Sequence, residues 1–159
     1  MTEIERASDV TSTPVIDGMT IYTVAYQGKI SAIDRVNAKI LWNRDISSYS
    51  GLHIDGARIY LSHTGGALYS LAIESGKTYW RQGELLNRKL TTPLGMGDYV
   101  AVGDLEGYIH ILDKETGAFL GRIQLDDEPV PVMRRMIEFE TNKFLAQTRN
   151  GGLYAISIQ

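Results

Sequence analysis

The chain contains no cysteine and only 4 prolines in 159 residues. Without cysteine there is no disulfide, no thiolate metal site and no thiol nucleophile, although an oxidising compartment stays open to a protein that makes no use of it. Charge of one sign is lacking too: 16 basic and 19 acidic residues leave a net charge of −3, and no five like charges run together. A nucleic-acid stripe or a polybasic membrane anchor is therefore not expected. No stretch reaches the ~18 consecutive apolar residues of a membrane span. The opening residues Met1 to Arg6 lack the basic start and apolar middle of a signal peptide. Apolar residues at the 3.6 spacing of a helix are also missing.

What the sequence has is glycine, 16 residues of it, in register. The unit from Thr92 to Gly121 is a proline turn, an apolar strand to Val102, the loop from Gly103 to Gly107, a strand from Tyr108 to Leu112, and a closing turn from Asp113 to Gly117. The remaining chain repeats it. Gly18, Gly56 and Gly97 fall ahead of one strand, and Gly28, Gly66, Gly107 and Gly151 ahead of the next. Trp42 and Trp80 each follow the second glycine by 14 positions, and Gly121 stands where a third tryptophan is expected. Repeats of about 40 residues, each with four short strands, are the mark of β-propeller blades. Strands such as 21–26 and 99–102 are apolar almost throughout, as expected where neighbouring blades cover both faces of a sheet.

The expected fold is thus all-β: a β-propeller of four-stranded antiparallel blades, about four of them. Residues 1–11 read as an N-terminal inter-blade loop, and residues 12–159 as repeats at about 12–47, 48–90, 91–126 and 127–159, the last short of its outer strand. Gly28, Gly66, Gly107 and Gly151 are expected to supply positive φ in a tight connection. Trp42 and Trp80 are expected to cover the backbone of the adjoining blade. These six are structural assignments.

The frame of Thr-Pro, spaced glycines, Asp and Thr-Gly, with tryptophan four residues on, resembles the repeat of the PQQ-type quinoprotein propellers, which have eight blades. A closer likeness lies in residues 85–93, 102–110 and 2–10, which together look like the C-terminal half of the BamB family, propeller lipoproteins of the bacterial β-barrel assembly machinery. The resemblance implies half of an eight-bladed ring. It also implies a non-catalytic periplasmic scaffold, lipid-anchored at the outer membrane, that docks on the POTRA domains of BamA and assists folding and insertion of outer-membrane proteins, with those proteins in their unfolded state as further partners. The family's contact loop carries over onto Asp9, with Arg6 and Thr11 beside it; a second acid common in the family is replaced at Thr11. The family's signal and lipidated cysteine have no counterpart here, so the chain reads as a fragment. A half-ring is expected to expose an unpaired edge at Leu153 to Ile158 and apolar end faces, and hence to self-associate. A four-bladed ring closed on itself is the alternative architecture.

A fragment of a PQQ-dependent dehydrogenase is the alternative function. Those enzymes need a calcium site of hard oxygen ligands and groups for the cofactor's carboxylates. No such cluster is legible, so no cofactor is expected, and Asp34 and Asp113, at one repeat position on different blades, read as turn caps. His53, His63 and His110 have no ligand spacing, and no G-x-S-x-G marks a hydrolase. Asp104, Glu106 and His110 read as framework. Residues 126–137 break the repeat with acids, prolines and the pair Arg134 and Arg135, which gives either a solvated inter-blade loop or a second partner contact. Leu85 and Leu86 stand in a polar connection, where capping of the blade end is the favoured reading.

Overall fold

The computed structural model describes residues 12–133 and 135–159. Fifteen strands and no helix are found among them, arranged as four successive antiparallel sheets. The first sheet is β1 (Val15–Asp17), β2 (Thr20–Val24), β3 (Ile30–Asp34) and β4 (Ile40–Arg44). The second is β5 (Leu52–Asp55), β6 (Arg58–Ser62), β7 (Leu68–Ala72) and β8 (Thr78–Gln82). The third is β9 (Leu94–Met96), β10 (Tyr99–Gly103), β11 (Tyr108–Asp113) and β12 (Phe119–Gln124). The fourth has three strands, β13 (Ile137–Glu140), β14 (Lys143–Gln147) and β15 (Leu153–Ser157). Within each sheet every strand pairs with its sequence neighbour. The innermost strands β1, β5, β9 and β13 touch in succession, so they surround a common axis.

Each sheet is a meander because its turns carry residues that accept positive φ. Gly18, Gly56 and Gly97 close the first hairpins at φ +54°, +57° and +49°, and Asn142 takes the same role in the fourth sheet at +58°. Asparagine is the residue best able to replace glycine there, since its short polar side chain tolerates the left-handed region. Asp34 and Asp113 cap the turn between the third and fourth strands: one carboxylate oxygen of each accepts two backbone N–H groups, from Val36 and Asn37 and from Glu115 and Thr116.

The second glycine set needs one correction. Gly66, Gly107 and Gly151 lie at φ +91°, +88° and +93°, but at the first repeat the positive φ belongs to Gln27, at +53°, and not to Gly28. Gly28 is constrained by space instead, because a Cβ there would sit 2.7 Å from that of Ala25. At Gly66 and Gly107 an inter-blade connector crosses the turn: a Cβ would meet Leu85 O at 2.6 Å and Val130 O at 2.8 Å.

Among the described residues the buried apolar side chains form three clusters, one at each junction between successive sheets. Tyr22, Val24, Ile30 and Ala32 of the first sheet meet Ile59, Leu61 and Leu71 of the second. Tyr60, Leu68 and Trp80 meet Val100, Val102 and Leu112. Leu94, Ala101 and Ile109 meet Phe144 and Ala146. Each blade thus has a forward face and a rear face, and each junction joins forward to rear. The outer face of the fourth sheet and the rear face of the first share no cluster, so the arc is open. The segment 126–136 is less solvated than its composition implies. Val132 and Met136 are buried in the third cluster, and Val132 bridges to Thr148. Leu85 is buried as a cap, whereas Leu86 is 57% exposed.

The two indoles clamp these junctions. Trp42 Nε1 donates to Ile73 O at 3.0 Å and Trp80 Nε1 donates to Lys114 O at 2.9 Å, each bond running into the following blade. The rings lie flat on the glycines of the next turn, where a Cβ would come within 2.7 Å of Trp42 at Gly76 and within 2.6 Å of Trp80 at Gly117. Gly18 has the same sign of φ and open space around it. Gly18→Ala is therefore expected to cost about 1 kcal/mol of stability for the backbone alone, and Gly117→Ala about 1–3 kcal/mol more for displacing the indole. Urea unfolding of the two variants in parallel checks the difference; equal losses would show that the ring does not bear on Gly117.

Candidate protein-binding site

The segment that enters the first sheet is held from both sides. Ser12, buried, donates its hydroxyl to Val24 O at 2.7 Å and pins the chain two residues before Pro14. The connector between the first and second sheets is pinned by Ser48 N–H to Ala25 O and by Thr64 N–H to Ser47 O. It turns sharply at Gly51, at φ +100°, whose N–H donates to the Ser48 hydroxyl. Thr92 donates its hydroxyl to Ser50 O, joining this connector to the one after the second sheet. These contacts shape a cleft of about 370 Å³ at one mouth of the axis, walled by residues 12–16, residues 49–52, Thr92 and Arg135.

Arg135 is exposed there, brought to the mouth by the connector into β13, so the structure sets it against the residues that directly follow Thr11. Its charge acts inward as well. Burial pushes the imidazole of His53 on β5 below the usual histidine range, against the raising influence of the Gly95 carbonyl, and Arg135 adds to the lowering. His53 Nε2 lies 3.2 Å from Gly95 O on β9. Asp55 and Glu138 act on the same imidazole in the opposite sense to Arg135. Arg6, Asp9, Thr11 and Arg134 lie outside the described residues.

A second cluster sits at the outer edge of the junction between the second and third sheets. Asp104, fully buried, accepts from Arg88 Nη1 at 2.7 Å and faces His110 Nε2 at 2.9 Å through Oδ2, while Oδ1 takes the N–H groups of Glu106 and Tyr108. Burial alone would raise this carboxyl. The hydrogen bonds from His110, Arg88 and the two backbone N–H groups outweigh it, and Asp104 titrates below its ordinary value. An Asp–His pair beside a cleft of about 400 Å³ has the outline of a general-base site, but no serine, threonine or cysteine lines that cleft. Its hydrogen bonds run into the framework. Leu105 N–H bonds Arg88 O, and Val132 N–H bonds Asp104 O, so the Asp104 turn ties down the connectors on both sides of the third blade. The equivalent positions in the other repeats are Ala25, His63 and Thr148, so a pattern search for a repeated acid could not have found it. Arg88 was the missed member, being remote in sequence and outside the glycine frame. Among the described residues no group of three or more His, Cys, Asp or Glu could hold a metal ion.

The fold and these contacts define an open arc of a β-propeller with PQQ-type repeats. The family model described as "Outer membrane protein assembly factor BamB" matches residues 1–82 and 64–159. The chain is 35% identical over 161 residues to the outer membrane protein assembly factor BamB of Escherichia coli K12, covering 98% of this chain and 39% of that protein. It is 44% identical over 124 residues to that of Kangiella koreensis, covering 78% of this chain and 32% of that protein. The crystal structure of BamB from Moraxella catarrhalis superposes with a TM-score of 0.84 at 23% identity, over 94% of this chain and 45% of that one. A quinohemoprotein alcohol dehydrogenase from Comamonas testosteroni shares the fold less fully, with a TM-score of 0.61 over 72% of this chain. The chain belongs to the BamB family of outer membrane protein assembly factors, and it spans about 39% of the length of the curated relative from Escherichia coli.

A carboxyl whose folded pKa lies below its unfolded value adds stability that is complete above the unfolded value, near 3.8, and is lost as pH falls through the folded value. Urea midpoints are expected to drop for wild type as pH falls below that point, and Asp104→Asn is expected to flatten this part of the profile. Asp104→Ala, which takes the buried partner from His110 and leaves Arg88 paired with Glu106 alone, should cost about 1–3 kcal/mol at pH 7. A wild-type profile matched by the asparagine variant would remove Asp104 from the account.

Proposed function

We propose that this chain is a non-catalytic scaffold of the β-barrel assembly machinery, binding the periplasmic POTRA domains of BamA at the mouth of the propeller axis and so assisting the folding and insertion of outer-membrane proteins. The observation that carries this reading is the match to the BamB family across 98% of the chain, joined to a mouth built from residues 12–16 and Arg135. Asp9 is the acidic contact, with Arg6 and Thr11 beside it. Arg134 and Arg135 are a second, basic contact, Arg135 lying on the cleft it shares with residues 12–16. An acidic and a basic contact together favour a partner surface with both signs, and they set orientation and association rate more than affinity. Loops on a rigid scaffold are where recognition is usually placed. The working location is the periplasmic face of the outer membrane, through a lipid anchor on the full-length protein. The repeat boundaries near residues 47, 90 and 126 divide the scaffold into its blades.

The dehydrogenase reading has support only from the shared fold at lower similarity. Capture of BamA periplasmic domains by immobilised wild type, Asp9→Arg and Arg135→Glu tests the proposal. Wild type should retain the domains, Asp9→Arg should lower retention by tenfold or more, in line with the ~1.5 kcal/mol or more of a close interfacial charge pair, and Arg135→Glu should lower it less. Retention unchanged by Asp9→Arg would place the contact elsewhere.

A further inference from the structure

We propose that the cleft of about 400 Å³ beside the Asp104 clasp binds a free apolar α-amino acid, its carboxylate on Arg122, its ammonium toward Glu84 and its side chain against Phe119 and Leu85. The cleft opens between the connector 83–93 and the outer strand β12, and both blades that wall it have all four strands. It lies at the outer edge of the junction, apart from the axis mouth, so it does not rest on the BamA reading.

The matching place in the second blade shows what is different here. Tyr69 on β7 stands opposite Arg81 on β8, and His110 on β11 stands opposite Arg122 on β12, at the same register. In the second blade that pair is closed, because Arg81 Nε donates to the Tyr69 hydroxyl at 3.0 Å. In the third blade the shorter imidazole is engaged with Asp104 Oδ2 at 2.9 Å instead. Arg122 is left lying over the Tyr108 ring, 4.9 Å from its centroid, and among the described residues its guanidinium has no hydrogen-bond acceptor. A guanidinium is a planar fork of donors that pairs a carboxylate through two parallel bonds. Arg88, on the other wall, uses the single nitrogen Nη1 for both Asp104 and Glu106, which leaves its remaining N–H groups for a ligand.

The charges around the cleft select the kind of ligand. Arg88 and Arg122 stand against Asp104, Glu106 and Glu84, so a net anion would be repelled. A zwitterion is neutral overall and offers an anion to Arg122 and a cation to Glu84, whose exposed carboxylate has no ion-pair partner among the described residues. The apolar lining comes from the buried Leu85 and from Phe119, which takes the register position held by Thr78 in the second blade. The Phe119 ring meets the His110 imidazole edge-on, with centroids 6.1 Å apart. The volume lies at the lower end of small-molecule sites, which run from about 300 to 1,000 Å³, and suits one amino acid.

Titration of L-phenylalanine into the isotope-labelled chain at neutral pH, followed by backbone amide shifts in NMR spectra, tests the site. Saturable shifts are expected at residues 84–88 and 119–122, with a dissociation constant of about 1 mM for so small a ligand. L-Phenylalaninamide, which lacks the carboxylate, and N-acetyl-L-phenylalanine, which lacks the ammonium, should each bind at least about tenfold more weakly. Arg122→Gln and Glu84→Gln, both at exposed positions, should keep the wild-type urea midpoint. The first should no longer distinguish L-phenylalanine from its amide, and the second should no longer distinguish it from the acetylated form. No saturable shift up to about 20 mM ligand, or shifts confined to another part of the chain, would overturn the proposal. Equal binding of all three compounds by wild type would overturn it too, leaving an apolar contact only. A peptide ending in phenylalanine that bound about tenfold tighter than the free amino acid would overturn the free ligand in favour of a chain terminus.

Discussion

The packing of one blade's forward face on the next blade's rear face is the constraint from which the rest follows. A three- or four-stranded sheet of short strands has too little interior of its own, so its apolar side chains are satisfied only by a neighbour. That requirement makes the strands apolar on both faces. It also explains why the charged residues gather at the sheet rims, in Asp55 with Lys114 and Arg58 with Glu115 between the second and third blades. The indoles of Trp42 and Trp80 add direction to a contact that apolar area alone would leave free to slide, since each must find one carbonyl and one bare glycine.

The polar contacts divide along the same line. At the rims and turns they join neighbours, as in the Asp104 clasp. At the axis mouth they hold loops in place without using all of the charge available, leaving Arg135 exposed beside the entry to β1. A structural role uses up the hydrogen-bonding capacity of a residue, and a recognition role leaves part of it open. Asp104 has both oxygens occupied and sits dry; Arg135 does not, and that contrast separates framework from candidate contact more reliably than residue type.

The glycine spacing made the number of sheets and their order legible, because a repeat shows itself several times and each copy corrects the reading of the others. Trp42 and Trp80 were legible for the same reason. What the spacing could not reach were features that occur once: Gln27 taking the positive φ beside Gly28, Asn142 standing in for glycine, and Arg88 reaching Asp104 from a connector. Val132 and Met136 were hidden because a composition of acids and prolines reads as solvent-facing, whereas their burial depends on a junction made by residues distant in sequence. The cleft at the axis mouth was not legible, since nothing local places Arg135 opposite residues 12–16.

The connectors carry a further consequence. Leu105 N–H to Arg88 O and Arg149 N–H to Pro131 O are equivalent backbone pins. From pin to inner strand the chain takes six steps in both cases, Arg88 to Leu94 and Pro131 to Ile137. Upstream of the pin the lengths part: six steps from Gln82, and eight from Ile123, the residues at matching register on the outer strands. Growth of the chain between blades is thus absorbed entirely before the pin, and the inner strand that follows keeps its distance from the axis. The stretch ahead of each pin is where sequence can be added or exchanged without turning the next blade, a tolerance zone written into the scaffold by two hydrogen bonds.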